Sequence, residues 1–125
     1  MKAATVAAVA LGLCAVMTPL ARSAVPDAAR VEIVELLRRV GASGCLFRRN
    51  GVDYDAARGE KHLHGKFDAL ARYDNIVSAE DFIERAATRS SLSGLAYEVR
   101  CADAPALPSR LWLLDQLAQM RRPGP

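Results

Sequence analysis

The strongest constraint on the fold of this chain comes from Cys45 and Cys101, two cysteines that lie 56 residues apart. The third cysteine, Cys14, belongs to an apolar N-terminal run that an exported protein would lose. An even pair of cysteines in an exported chain is most simply a disulfide. Two free thiols or a metal site are the alternatives. A metal site is disfavoured because there is no Cys-x-x-Cys spacing, and because His62 and His64, two residues apart, point to different faces of a helix.

The N-terminus has the organisation of a secretory signal peptide. The basic start "MK" is followed by the uncharged run "AATVAAVALGLCAVM" and then by "TPLARS", which is the order of a basic, an apolar and a small-residue region. The small-x-small pattern Ala21-Arg22-Ser23 predicts cleavage before Ala24, so that residues 1–23 form the signal peptide.

Two alternatives to cleavage are a retained membrane anchor and a lipoprotein signal. A retained membrane anchor needs about 20 apolar residues, and this stretch is rich in alanine and interrupted by Pro19. A lipoprotein signal at Cys14 would need a small residue where Leu13 stands. We therefore expect a periplasmic protein that meets the membrane only transiently, through its signal peptide.

Residues 24–125 have the size of one small domain, and their charge is nearly balanced. Removing Lys2 and Arg22 from the 17 basic residues leaves fifteen against 14 acidic ones, a formal charge of +1. Such a balance, in an exported chain, argues against nucleic acid as a partner.

Apolar residues at helical spacing predict four helices. Asp27 is the expected N-cap of the first, with Val31, Val34, Leu37 and Val40 as its buried stripe and Gly41 or Gly44 as its end. Three further helices are expected after Asp55, after Ser78 with Asp81 in a near capping box, and from Ser109 onward. The third is expected to end in Ser90–Gly94.

The dipeptide Asn50-Gly51 predicts a β-hairpin with arms at 45–49 and 52–54, because a two-residue turn needs positive φ at both positions. Residues 95–101 alternate between apolar and polar, which is typical of a half-buried strand. This strand would lie beside the hairpin and bring Cys101 to Cys45. The fold class is therefore α+β, with about four helices packed on a small antiparallel sheet made of the hairpin and one strand, and a core spanning about 28–120.

The segments "SGCLFRRNG", "HLHGKF", "AEDFIERAATRSSLSG" and "YEVRC" together resemble the YfeK-like family, small exported proteins of Gram-negative bacteria with no assigned activity. The resemblance covers residues 28–118 and implies a periplasmic protein in which Cys45 and Cys101 are paired. It brings no catalytic residue. The positions that match the recurrent pattern are Gly44, Cys45, Phe47, Arg49, Asn50, Gly51, His62, Leu63, Lys66, Glu80, Asp81, Phe82, Ile83, Ser90, Ser91, Ser93, Gly94, Tyr97 and Cys101.

Polar residues of that pattern form the candidate binding surface. His62 and Lys66 lie one helical turn apart and could hold an anion, whereas Arg49 at the hairpin is not explained by turn geometry. The remaining candidates are Asn50, Ser90, Ser91, Ser93 and Tyr97. Each has a purely structural interpretation: a solvated helix flank for the His–Lys pair, turn geometry for the asparagine, and a serine-rich helix end for the serines.

Three classes of function follow from these residues. The leading hypothesis is a non-enzymatic binding module, with no cofactor or metal, whose partner is an unknown envelope protein or cell-wall component. A hydrolase acting on cell-wall material, with His62 as base, is the alternative, although no Gly-x-Ser-x-Gly motif occurs. An inhibitor of an envelope enzyme is a further alternative, since "SGLAY" has the Ser-Gly-x-x-Tyr spacing of one class of periplasmic lysozyme inhibitors. A thiol-redox role is disfavoured by the distant cysteines.

Overall fold

The computed structural model describes residues 2–17 and 24–124. Residues 2–17 contain neither helix nor strand, and the expected cleavage motif lies in 18–23, outside the described residues. Among the described residues, no helix is both long and apolar enough to cross a membrane. The elements, in chain order, are α1 Asp27–Ala42, β1 Leu46–Arg49, β2 Val52–Tyr54, α2 Ala56–Tyr73, α3 Ala79–Ala86, β3 Glu98–Arg100, β4 Leu107–Pro108 and α4 Ser109–Arg121.

The sheet is antiparallel throughout, with strand order β2-β1-β3-β4. Its inner face buries Phe47 and Val99, while Arg48 and Arg100 project from the outer face and share Asp53 as an ion-pair partner. The α+β class of four helices on a small antiparallel sheet is confirmed. The sheet also contains one short strand, β4, in addition to the hairpin and the single strand that were expected.

The hairpin turn has the geometry that its sequence predicts. Asn50 and Gly51 both have positive φ, 51° and 77°, as a type I′ turn requires. The turn sets the register that pairs Phe47 with Tyr54 and Arg49 with Val52. Cross-strand partners share a face, so Phe47 and Tyr54 both belong to the helix-facing side of the sheet.

The disulfide joins Cys45, just before β1, to Cys101, just after β3, with the two Cα atoms 4.3 Å apart. Because Leu46 pairs with Arg100 in the ladder, the two cysteines occupy the next position along it. The expected meeting of the two cysteines across the sheet is confirmed, and the cross-link fixes the end of the sheet that lies farthest from the hairpin turn.

The first helix buries only part of the stripe expected: Leu37 and Val40 are buried as predicted, but Val31 and Val34 are not. Val31 and Val34 are 69% and 52% exposed, whereas Ile33 and Leu36 are fully buried. Both sets obey helical spacing, and the packing of α1 against α2, α3 and α4 decides between them. The expected Asp27 cap is also wrong: Pro26 occupies the N-cap position, without a side-chain hydrogen bond, and Asp27 lies in the first turn.

The caps of α2 and α3 agree with the sequence. Asp55 accepts a hydrogen bond from the Arg58 backbone N–H, and Ser78 accepts one from that of Asp81. The third helix, however, ends at Ala86 and not in the serine segment. Residues 90–94 form a separate turn instead, because the Ser90 N–H bonds to the Leu95 carbonyl and closes that segment on itself.

Candidate functional site

A groove of about 530 Å³ lies between α2 and the inner face of the hairpin. We call it the α2–hairpin groove. Phe47 and Leu63 contribute to its apolar floor and belong to the buried core. Its volume is within the range of about 300–1,000 Å³ that small-molecule sites occupy. The domain therefore carries a concave surface of the size that a small ligand needs.

Two glycines of α2 shape this groove. A Cβ at Gly59 would lie 3.0 Å from the Phe47 ring, so the close approach of α2 to β1 depends on the missing side chain. A Cβ at Gly65 would meet nothing within 4 Å. Each glycine weakens the helix by about 1 kcal/mol relative to alanine. At Gly59 this cost is offset by the close packing of α2 on Phe47, whereas at Gly65 the missing side chain leaves open space beside the groove.

Four of the predicted site residues meet along one wall of the groove. Arg49 Nη1 lies 2.9 Å from His62 Nδ1, and His62 Nε2 lies 3.1 Å from the Tyr97 hydroxyl. Lys66 Nζ donates to the same hydroxyl at 3.2 Å and to the Arg89 carbonyl at 3.3 Å. One hydrogen-bonded group, which we call the His62 cluster, thus connects β1, α2 and the residue before β3.

Aromatic rings support both cations of the His62 cluster. The Arg49 guanidinium lies 5.2 Å from the centre of the Tyr54 ring, and the Lys66 ammonium lies 5.0 Å from that of Tyr97. Cation–π contacts of this kind favour a positive charge without neutralising it. The two cations are therefore held in place while their charges remain available to a ligand.

The ionisation of the cluster follows from its partial burial and its charges. Burial lowers the pKa of His62, and the neighbouring Arg49 and Lys66 charges lower it further. Burial and the Arg49 charge lower the pKa of Lys66 as well, while burial raises the pKa of the Tyr97 hydroxyl. Each shift opposes charging of the group concerned, so the cluster is a place where positive charge is crowded and an anion would relieve it.

The lowered pKa of His62 predicts that the free energy of unfolding falls as the pH drops from about 7.5 to about 5.5. In that interval the unfolded chain protonates His62, near its ordinary pKa of about 6.5, more readily than the folded chain does, so protons favour unfolding. Urea unfolding at the two pH values measures the effect.

The control for that pH dependence is a variant of His62. His62→Gln should flatten the stability change between the two pH values, and His62→Gln compared with the wild type at each pH isolates the contribution of this side chain. Carboxylates such as Glu35, whose pKa Arg38 and Arg39 lower to about 2, contribute only at more acidic pH. If the free energy of unfolding changes with pH equally in the wild type and in His62→Gln, then His62 is not the group responsible.

The electrostatic character of the groove differs from the rest of the surface. Five basic residues line it. Arg48 is paired with Asp53, whereas Arg49, Arg58, Lys61 and Lys66 have no carboxylate partner among the described residues. No Asp or Glu belongs to its lining. By contrast, seven arginines outside this lining form ion pairs with carboxylates in the part of the chain that the structure describes: Arg38, Arg39, Arg85, Arg89, Arg100, Arg110 and Arg121.

A second polar group joins the hairpin turn to the serine segment. The Asn50 amide donates to Ser90 Oγ at 3.4 Å, and Ser93 Oγ donates to the Asn50 side-chain carbonyl. Ser90 is buried and also accepts from two backbone N–H groups of its own turn, whereas Ser91 is exposed and has no side-chain hydrogen bond among the described residues. The structural interpretation of Asn50, Ser90 and Ser93 is thus sufficient to explain their contacts.

The candidate residues therefore separate into two groups. The structure brings Arg49, His62, Lys66 and Tyr97 together at the groove, and it places the asparagine and serines in a neighbouring hydrogen-bonded turn. Sequence reasoning missed further groove residues, among them Arg48, Tyr54, Arg58, Lys61 and Ala69. The signal for most of them was present: positions 58, 61, 62, 65, 66 and 69 lie on one face of a helix, and four of these six carry a basic side chain.

The geometry bears on the chemistry that this site can perform. His62 bonds to a guanidinium and a phenol, and Ser90 Oγ to an amide and backbone N–H groups, so the described residues hold no serine–histidine pair. They also hold no group of three His, Cys, Asp or Glu able to bind a metal ion. Tyr97, the tyrosine of the Ser-Gly-x-x-Tyr spacing, is only 7% exposed and is not presented by its loop. What the site offers is a set of converging hydrogen-bond donors.

Comparison with known proteins identifies a family. A family model described as "Family of unknown function (DUF5329)" matches residues 27–121, which include every helix and strand of the domain. No curated protein and no solved structure matches this chain. The chain thus belongs to DUF5329, a family of unknown function.

Proposed function

We propose that this protein is an exported binding module of the cell envelope, without a catalytic role, and that the α2–hairpin groove is its ligand site. The observation that carries the proposal is the groove itself, in which four of the five basic side chains have no carboxylate partner among the described residues. Charged groups that lack partners in a concave site are more typical of ligand binding than of fold stability.

Export is supported by two independent features. The N-terminal 23 residues have the composition of a cleavable signal peptide, and Cys45 and Cys101 form a disulfide, a bond that persists mainly in oxidising compartments. The domain of residues 27–121 begins just after the expected cleavage position. The proposed location is therefore the periplasm.

The proposal is tested by recovering the protein with what it binds. The gene is expressed with its own leader in a Gram-negative host, and the protein isolated from the periplasmic fraction is measured by native and denaturing mass spectrometry. We expect an N-terminus at Ala24 and an additional small mass that is lost on denaturation. A ligand that binds with micromolar affinity has a binding free energy of about 8 kcal/mol, so its complex should persist during native mass spectrometry.

Two alanine-to-phenylalanine variants on α2 locate the bound mass. Ala69 is exposed and lines the groove, so Ala69→Phe should obstruct it and abolish the additional mass. Ala57 is exposed on the same helix but outside the groove lining, so Ala57→Phe should retain the mass. Equal retention by both variants, or the absence of a bound mass from the wild-type protein, would refute the groove as the ligand site.

A further inference from the structure

The chemistry of the groove lining restricts the ligand further. Its charged side chains are arginines and lysines, which donate hydrogen bonds and accept none. The lining contains no Asp, Glu, Asn or Gln, and the accepting hydroxyls and imidazole nitrogens are few. Sugars and peptides present donors and acceptors in comparable numbers and would leave their donors unpaired here, at a cost in free energy. The lining suits a ligand that only accepts hydrogen bonds.

Two of the cations, Arg49 and Lys66, belong to one hydrogen-bonded cluster at the groove. Arg49 and Lys66 are linked through His62 and Tyr97 by contacts of 2.9 to 3.2 Å, and all of their present side-chain partners are uncharged. An anionic group in the groove would therefore add a negative charge that the cluster lacks, and it would not compete with an existing ion pair. Charge-assisted hydrogen bonds of this kind are about twice as strong as neutral ones.

The floor beneath these donors is apolar. Phe47 and Leu63 close its base and are nearly buried, and the exposed Gly65 and Ala69 beside them add no polar side-chain atom. A fully hydrated inorganic anion would leave this surface covered by water, whereas an apolar body attached to the anion would displace that water favourably. The groove thus combines one charged wall with one apolar floor.

We propose that the ligand of the α2–hairpin groove is a small organic acid whose carboxylate binds Arg49 and Lys66 and whose apolar body covers Phe47 and Leu63. A carboxylate is favoured over a phosphate monoester because the N-terminus of α2, the usual phosphate-binding feature, is already capped by Asp55. This inference rests on the proposed function and names the ligand class for the same site.

Lysine labelling gives a direct test, because both lysines of residues 24–125, Lys61 and Lys66, line the groove. The probe is octanoate. Acetate tests the carboxylate without an apolar body, 1-octanol tests the apolar body without a charge, and octyl phosphate tests a phosphate monoester on the same apolar body. We expect octanoate to slow acylation of Lys66 relative to the N-terminal amine, and acetate and 1-octanol at equal concentration to have no effect. Octyl phosphate should protect less than octanoate.

Calorimetric titration with octanoate then compares three variants of matched charge. Lys66→Met and Arg49→Met should each weaken binding about tenfold or more, as loss of a charge-assisted hydrogen bond implies. Arg122→Met removes an equal charge outside the groove and should bind like the wild type. Circular dichroism confirms that each variant is folded.

The possible outcomes separate this inference from the proposed function. Protection by 1-octanol equal to that by octanoate, or stronger protection by octyl phosphate, would overturn the carboxylate assignment. Absence of octanoate binding, while the periplasmic protein still carries a mass that Ala69→Phe loses, would overturn the organic acid and keep the binding module. Absence of both would overturn the two together.

Discussion

Removing the Cys45–Cys101 disulfide is expected to lower the free energy of unfolding by about 4 kcal/mol, because a cross-link over this length of chain restricts the unfolded state by that amount on the chain-entropy model. The two cysteines are 56 residues apart and adjoin the β1–β3 ladder. A domain of this size has a net stability of about 5–15 kcal/mol. The double variant Cys45→Ala/Cys101→Ala should therefore be close to unfolding at 37 °C, and urea denaturation measures the difference.

The control for this prediction is the effect of reductant on each form. A reducing agent should destabilise the wild-type protein by nearly the same amount as the double substitution, and it should not change the stability of the double variant. A loss below about 1 kcal/mol in both experiments would show that the bond contributes little. Octanoate titration of the double variant under stabilising conditions would then report whether the groove needs the cross-link.

The second large effect is expected in α1, where Ile33→Ala should destabilise the domain by about 3 kcal/mol. Ile33 is fully buried in the core that includes Leu36, Phe82 and Leu113. Truncation of a buried isoleucine removes its apolar contacts and leaves a cavity, at a cost of about 2–5 kcal/mol. Thermal and urea unfolding of the variant give the value.

The neighbouring residue provides the matched control. Val34 is 52% exposed, so Val34→Ala should change the free energy of unfolding by no more than about 0.5 kcal/mol. The face that the sequence suggested, with Val31 and Val34 buried, predicts the opposite order. A larger loss for Val34→Ala than for Ile33→Ala would therefore refute the observed orientation of α1.

Local signals predicted the features that depend on only a few neighbouring residues. The Asn50-Gly51 turn, the Asp55 cap and the Ser78 cap all concern backbone conformations that one or two side chains decide. The sequence predicts a later end for α3 than the observed Ala86, because a serine-rich segment such as Ser90–Gly94 is typical of a helix terminus. Ser90 bonds instead to the hairpin residue Asn50 and to its own turn, and a contact 40 residues away has no local signal.

The candidate site was predicted in part for the same reason. His62 and Lys66 share a helix face, so their spacing alone made them a pair, and Arg49 attracted notice because turn geometry did not explain it. Their meeting with Tyr97 depends on α2 crossing the inner face of the hairpin, where Gly59 allows the close approach to Phe47. The role of Gly59 appears only when the two elements are seen together.

The sequence by itself determined the hairpin, two helix caps, the α+β class and the pairing of the two cysteines, because each depends on residue types at short spacing or on a single even pair. The tertiary structure decided which face of α1 is buried, where α3 ends and which basic residues remain without carboxylate partners. When a helix has apolar residues at helical spacing on two faces, its own sequence does not decide which face is buried. The elements that pack against the helix decide it. Likewise, a charge becomes unpaired only when the fold has placed every carboxylate elsewhere.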